Sequence, residues 1–183
     1  MIEIIAVIFS LISVWLTSKS SIWCWPTGII GIIFYFILIY QSSEYCNMLL
    51  QFAFLFQSIS GWINWNKKED LQVSLYNRDL SIGKYFYLLL QVTQISAIYY
   101  FISLVFNGQS ILLDSITTGL SIMAMFLLSI KKLESWVLWI IADVLYIPFF
   151  IHSGHYLSAG VYFVFLCLAI NGFKNWKKQL YEI

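Results

Sequence analysis

The run Trp136-Val-Leu-Trp139-Ile-Ile-Ala-Asp143 sets two indoles and a carboxylate at positions i, i+3 and i+7. A helix gathers those positions on one face. Tyr146, three residues further on, extends the stripe. Two flat π systems beside one acid suit a flat, cationic, hydroxylated ligand. The rings supply stacking or cation–π attraction, and the carboxylate supplies charge or accepts from hydroxyls. The plainer alternative is interfacial tryptophan with a structural Asp bonded to a neighbouring helix. Asn47, Gln51, Phe54 and Ser58, spaced four, three and four, form a second stripe. Amides at such spacing either bind a ligand or glue helices together. Gln57 and Asn171 read as further buried amides.

What these residues can do depends on their surroundings. Of 183 residues, 61% are hydrophobic and 10% charged, with a net charge of +1. A soluble domain carries roughly 25% charged residues, and a disordered chain is poor in apolar ones. The composition therefore predicts an integral membrane protein with no room for a soluble catalytic module. Seven apolar segments are expected: Ile2–Thr17, Ile22–Tyr40, Cys46–Trp65, Tyr85–Phe106, Ile111–Ile130, Ser135–Ile151 and Tyr156–Phe173. Lengths near 20 suit helices crossing about 30 Å of hydrocarbon, where backbone groups must be satisfied within the segment. Asp143 then lies about 12 Å along segment 6, a depth at which a carboxylate is costly and functional by default.

The basic residues sort with these segments. Lys19, Lys67, Lys68, Arg78, Lys84, Lys131, Lys132, Lys174, Lys177 and Lys178 all fall on one face if seven spans are counted. The Gln41–Tyr45, Asn107–Ser110 and His152–His155 loops fall on the other. The positive-inside rule then places the N-terminus outside and the C-terminus in the cytoplasm. Segment 1 lacks a basic leading region and a small-residue cleavage site, so it reads as a mature helix and not a signal peptide. Trp23, Trp25, Trp65, Trp136 and Trp176 stand near segment ends, where interfacial anchoring is the ordinary reading.

A shift of 111 residues matches the chain to itself without a gap. Trp25 falls on Trp136, Tyr35 on Tyr146, Gly61 on Gly172, Asn64 on Asn175 and Trp65 on Trp176. Segments 1, 2 and 3 map onto 5, 6 and 7, leaving segment 4 as a linker that restores parity. The expected fold is all-α, with seven transmembrane helices in a 3+1+3 arrangement of parallel repeats: 1–66, a connecting 67–107, and 108–183. Such repeats place substrate sites near the midplane between the halves. The counterparts of Trp136, Trp139, Asp143 and Tyr146 are Trp25, Gly28, Ile32 and Tyr35, so a symmetric scaffold would present an asymmetric site.

Other chemistry is thin. Asp114 opens segment 5, where an acid favours the helix dipole. Two histidines, His152 and His155, make a weak metal hypothesis. Cys24, Cys46 and Cys167 read as small buried hydrophobes. No zincin, P-loop or nucleophile-elbow motif occurs, no cofactor is implied, and no nucleic-acid partner is expected. Segment 7 has no Lys for a retinal Schiff base.

The Trp136–Asp143 run resembles the W-x-x-W-x-x-x-[ND] signature of the Pnu vitamin transporters. Tyr45-Cys-Asn-Met-Leu-Leu-Gln51, running to Gly61-Trp62-Ile-Asn-Trp65, resembles the L-L-Q…G-W-x-x-W pattern of the nicotinamide riboside branch. Asp114-Ser115 and Ala169-Ile-Asn171-Gly172 look similar too. Ser60 departs from the Tyr expected there. The resemblance covers roughly Trp25 to Trp176. It implies a SWEET-like fold of seven helices in a bacterial inner membrane. It also implies uptake of nicotinamide riboside by facilitated diffusion, without ATP, and a functional link to a cytoplasmic kinase that traps the product. A substrate-binding role is implied for Trp136, Trp139, Asp143, Gln51 and Asn47, with Tyr162 and Asn171 weaker. Tyr146 and Trp25 join the candidate set from the stripe and its repeat. Thiamine, also flat and cationic, is the alternative substrate, and a non-transporting membrane scaffold the alternative class. Self-association into a homo-oligomer is left open.

Overall fold

The computed structural model describes residues 1–42, 45–67, 73, 82–106 and 111–181. Its helices are α1 (Ile2–Ser18), α2 (Cys24–Ser42), α3 (Tyr45–Asn66), α4 (Ile82–Val105), α5 (Ile111–Ser129), α6 (Glu134–His152) and α7 (Tyr156–Tyr181). Lys68, Arg78 and the 107–110 loop lie outside the described residues. Among the described residues four helices, α4 to α7, are long and apolar enough to cross a membrane, while α1 and α2 are shorter apolar helices. Large apolar side chains stand exposed along the bundle, Phe52, Phe56, Phe86, Leu89, Phe101 and Leu157 among them. Apolar surface on that scale would aggregate in water and is at rest in lipid.

The helices follow the expected segments except at the end of α7. Hydropathy ends segment 7 at Phe173, but the helix runs to Tyr181. Trp176 is fully buried and Leu180 packs on the same core, so tertiary burial carries the helix past the lysines.

The order of packing is α1 on α2, α2 on α3, α4 on α5, α5 on α6 and α6 on α7, with α3 against α5 and α1 against α7 joining the two ends of the chain. Positions 111 apart make the same contacts. Trp65 Nε1 donates to the Leu128 carbonyl at 3.2 Å, and Trp176 Nε1 donates to the Thr17 carbonyl at 3.0 Å. Ser18 Oγ donates to the Trp15 carbonyl and Ser129 Oγ to that of Phe126, both at 2.7 Å. Ser20 and Lys131 both adopt a left-handed backbone, at φ 55° and 51°. Trp25 meets Trp65 edge-on at 5.2 Å, and Trp136 meets Trp176 edge-on at 5.5 Å. Trp65 and Trp176 lie 6.0 Å from each other, at the centre of the group.

Glycine makes this core possible. The Trp136 ring lies so close to α7 that a Cβ on Gly172 would come within 2.5 Å of it, and a Cβ on Gly61 would overlap the Trp25 ring. Each indole fills a notch that any side chain would close. The reading of Trp25, Trp65, Trp136 and Trp176 as interfacial anchors is thereby corrected: all four are buried, and only Trp23 is strongly exposed among the five.

Candidate functional site

Helix α6 delivers Asp143 into the bundle. The side chain is 5% exposed, because Asp143 shares its helix face with Trp136 and Ala142 is buried beside it. No described residue donates a hydrogen bond to its carboxylate or pairs with its charge. One turn further, the hydroxyls of Tyr146 and Thr117 (α5) are hydrogen-bonded at 2.7 Å. Tyr146 packs on Tyr162 of α7 at 4.8 Å, and Phe150 stacks on Tyr162 at 5.2 Å and 25°. Asp143, Asp114 and Tyr35 lie within electrostatic reach of the Tyr162 hydroxyl, and Tyr99 within reach of that of Tyr146. One neighbourhood thus receives side chains from α2, α4, α5, α6 and α7.

Helix α3 reaches it through Asn47. Gln51 is buried at 7% exposure, with no side-chain hydrogen bond to a described residue. Asn47, one turn before, accepts from the Tyr99 hydroxyl at 3.4 Å. Gln57 does act as glue, donating to the Ile122 carbonyl of α5 at 3.3 Å. Gln51 and Tyr162 are 111 apart, so the first half offers an amide where the second offers a phenol.

The tryptophans divide. Trp139 is half-buried against the aromatic core. Trp136 and Trp25 are inside that core at 1% and 2% exposure, and their Nε1 atoms have no partner among the described residues. Gly172 and Trp176 cover the Trp136 ring. Asn171 does not fit the expectation of a buried amide. Its side chain is exposed on the outer face of α7, because the neighbouring Gly172 is the residue turned inward against Trp136. Of the cysteines, Cys24 is buried as expected and Cys167 is exposed.

The electrostatics of the interior are one-sided. No Lys, Arg or His occurs in 20–66, 85–130, 133–151 or 156–173. These ranges hold four acids, Glu44, Asp114, Glu134 and Asp143, and among the described residues only Asp143 of them is buried. At the chain's cationic end Lys131 lies over the Trp65 ring, its Nζ 4.7 Å from the centroid. Burial there holds its pKa below the usual lysine range. An open apolar groove of about 280 Å³ between α4 and α5, lined by Ser96, Tyr100, Phe101 and Leu112, contains none of the candidate residues.

Sequence reasoning missed Asp114 and Thr117 as neighbours of the aromatic cluster. Asp114 reads locally as a helix-dipole acid, and only the packing of α5 between α4 and α6 brings it toward Tyr146 and Tyr162. The 111-residue shift, which pairs Tyr35 with Tyr146, was the one signal that could have added Tyr35.

A family model described as nicotinamide mononucleotide transporter matches residues 1–178. The chain is 27% identical over 201 residues to the nicotinamide riboside transporter PnuC of Escherichia coli (strain K12), covering 96% of this chain and 84% of the relative. The same figures hold for PnuC of Shigella flexneri. The crystal structure of the vitamin B3 transporter PnuC superposes with a TM-score of 0.77 at 20% identity, over 99% of this chain and 82% of that one.

Proposed function

The chain belongs to the nicotinamide mononucleotide transporter family, and from that premise we propose that it carries nicotinamide riboside across a bacterial inner membrane. The observation that carries the reading is a buried acid, Asp143, in a chain with no Lys, Arg or His along 85–130, 133–151 or 156–173. Nicotinamide riboside is a pyridinium cation with ribose hydroxyls and no phosphate. A mononucleotide would bring a phosphate of about −1.5 to −2 charge into that acidic interior, with no Arg or Lys to receive it. The bare riboside meets Asp143 as its counter-charge instead. Trp139 offers a face for the pyridinium, and Gln51, Asn47, Tyr146 and Tyr162 offer partners for the hydroxyls. Trp136 and Trp25 act beneath the site as packing that fixes the helices.

The scaffold proposed is seven spans in two parallel three-helix repeats joined by α4. The paired contacts at positions 111 apart support it. The ligand space lies between the repeats, and rocking of one against the other gives alternating access. Charge sorting supports an N-terminus outside and a C-terminus in the cytoplasm. Flux is downhill without ATP, and a cytoplasmic kinase withdraws the product by phosphorylation.

Calorimetry on the purified protein with nicotinamide riboside, thiamine and nicotinamide mononucleotide tests the substrate. The riboside should bind and the mononucleotide should not. Tighter binding of thiamine would replace the substrate assignment. In cells, Trp139→Ala and Asp143→Ala should each abolish uptake at unchanged expression, and normal uptake by both would reject the site. Wild-type liposomes that admit none of the three would favour a scaffold.

A further inference from the structure

We propose that the seam where α1 ends against α7 holds an anionic phospholipid of the surrounding bilayer. Its headgroup phosphate faces Lys19, Lys174, Lys177 and Lys178, and its acyl chains lie along the apolar outer faces of the two helices. This inference uses none of the residues proposed to bind the cargo and stands apart from the transport reading.

Three hydrogen bonds tie the end of α1 to one stretch of α7. Trp176 Nε1 donates to the Thr17 carbonyl at 3.0 Å, Asn175 Nδ2 donates to the Ser18 carbonyl at 3.4 Å, and Ser20 Oγ donates to Gln179 Oε1 at 2.9 Å. With 175, 176 and 179 turned toward α1 and the core, the outer face of that stretch falls to Lys174, Lys177, Lys178 and Tyr181. Their spacing of i, i+3, i+4 and i+7 makes one helical stripe, and all four are exposed. Lys19, between the bonded Ser18 and Ser20, is exposed too, with its Nζ 3.8 Å from the centroid of the Trp15 ring. The three lysines of α7 span about 6 Å of helix axis, so four cations share one belt. Glu3, at the far end of α1, is the only acid in that helix, and α7 carries none.

Beyond the belt both helices turn apolar surface outward. Ile8, Ile12 and Trp15 stand exposed on α1, and Phe163 and Ile170 on α7. Acyl chains cover such faces, while lysine stems carry their ammonium groups to the headgroup level. Basic pockets between helices at that level take anionic headgroups. Positions 111 residues apart supply the comparison. The α3–α5 seam matches the α7–α1 seam, with Trp65 bonded to the Leu128 carbonyl as Trp176 is to that of Thr17. In place of Lys19, Lys174 and Lys177 it has Ile130, Ile63 and Asn66, and Lys67 alone answers Lys178. The lysines that follow α5, Lys131 and Lys132, are half-buried, with Lys131 turned over the Trp65 ring. Orienting a chain in the membrane needs positive charge at one end. It does not need exposed charge gathered on one of two matching seams, whereas a phosphate seated there does.

Native mass spectrometry of the full chain, released from detergent after titration with phosphatidylglycerol or phosphatidylcholine, counts the lipid held. Phosphatidylglycerol should stay bound where phosphatidylcholine is lost. One lysine beside an anionic headgroup is worth about fivefold in affinity. The pair Lys174→Gln with Lys177→Gln should therefore weaken phosphatidylglycerol about thirtyfold and leave phosphatidylcholine unchanged. The charge-preserving pair Lys174→Arg with Lys177→Arg should bind like wild type. Both positions are exposed, so the fold tolerates either pair. Equal retention of the two lipids by wild type, or undiminished phosphatidylglycerol binding by the glutamine pair, overturns the site. A loss as large in Lys67→Gln would spread the attraction over the whole cationic end and overturn it as well. Excess inorganic phosphate should not displace the lipid, and displacement would make the ligand a free anion instead. Failure on any of these counts leaves riboside transport standing, since none of these lysines belongs to the cargo site.

Discussion

Gly172→Ala should destabilise the protein although alanine is the better helix former. A Cβ at Gly172 would lie 2.5–2.6 Å from three carbons of the Trp136 ring, where carbon contacts are comfortable at about 3.5–4.0 Å. The ring would have to retreat by roughly 1 Å. It has nowhere to go, being 1% exposed with Trp176 edge-on at 5.5 Å. Overpacking of this kind costs about 1–3 kcal/mol, and three ring atoms at once argue for the upper end. Replacing helical glycine returns about 1 kcal/mol. The net loss is about 2 kcal/mol, a fall of about 4–8 °C in Tm for a chain of this length. Gly160→Ala is the internal control. Nothing lies within 4 Å of a Cβ there, so it should gain about 0.5–1 kcal/mol. Thermal unfolding of both variants in the same detergent, followed by tryptophan fluorescence, gives the comparison. A Gly172→Ala protein that melts at or above wild type would refute the close-packed notch, and with it the placement of Trp136.

Trp65→Phe deletes the hydrogen bond to the Leu128 carbonyl and some ring volume. A loss of about 1–2 kcal/mol is expected in thermal unfolding, and a smaller loss than 0.5 kcal/mol would contradict the bond. Asn171→Ala removes an exposed amide and should leave riboside binding unchanged by calorimetry, with stability within about 0.5 kcal/mol. A lost binding isotherm would restore Asn171 to the site. Lys131 has its pKa lowered by burial. A base depressed in the folded state penalises folding while charged, so stability should rise as pH climbs toward the ordinary lysine pKa of about 10.4. Melting curves at neutral and alkaline pH, with Lys131→Gln as the flattened control, measure this slope.

Much of this was legible because membrane sequences write their architecture in one dimension. Continuous apolar runs must be helices, and the runs match the helices to within a few residues at most ends. Asp143 was readable as inward-facing because a carboxylate three and four residues from apolar and aromatic neighbours on one face leaves the lipid as the only alternative. What stayed hidden is tertiary. Nothing local says that Trp25 finds its notch at Gly61, or Trp136 at Gly172, so indoles near segment ends look like headgroup anchors. Nothing local distinguishes Asn171, which turns outward, from Gln51, which turns inward. The extension of α7 past Lys174 depends on a buried Trp176 whose partner carbonyl, on Thr17, lies at the other end of the chain.

The frame and the chemistry obey different rules. Where contacts are duplicated, they are packing: indole in glycine notch, indole N–H to the carbonyl of the opposite half, a left-handed residue closing the turn. The two halves differ at residues of the proposed site: Gly28 against Trp139, Ile32 against Asp143, Gln51 against Tyr162. The proposed two-fold frame would hold one asymmetric ligand only with a lining that breaks the symmetry, and a nucleoside with its charge on one ring is such a ligand. The bonds that cross between the halves are also modest. The two indole bonds, with Gln57 to the Ile122 carbonyl, Asn175 to the Ser18 carbonyl and Ser20 to Gln179, are worth about 0.5–1.5 kcal/mol each. The proposed rocking would have to slide the Trp65–Trp176 contact and exchange these bonds, with the Trp–Gly packing inside each half left intact.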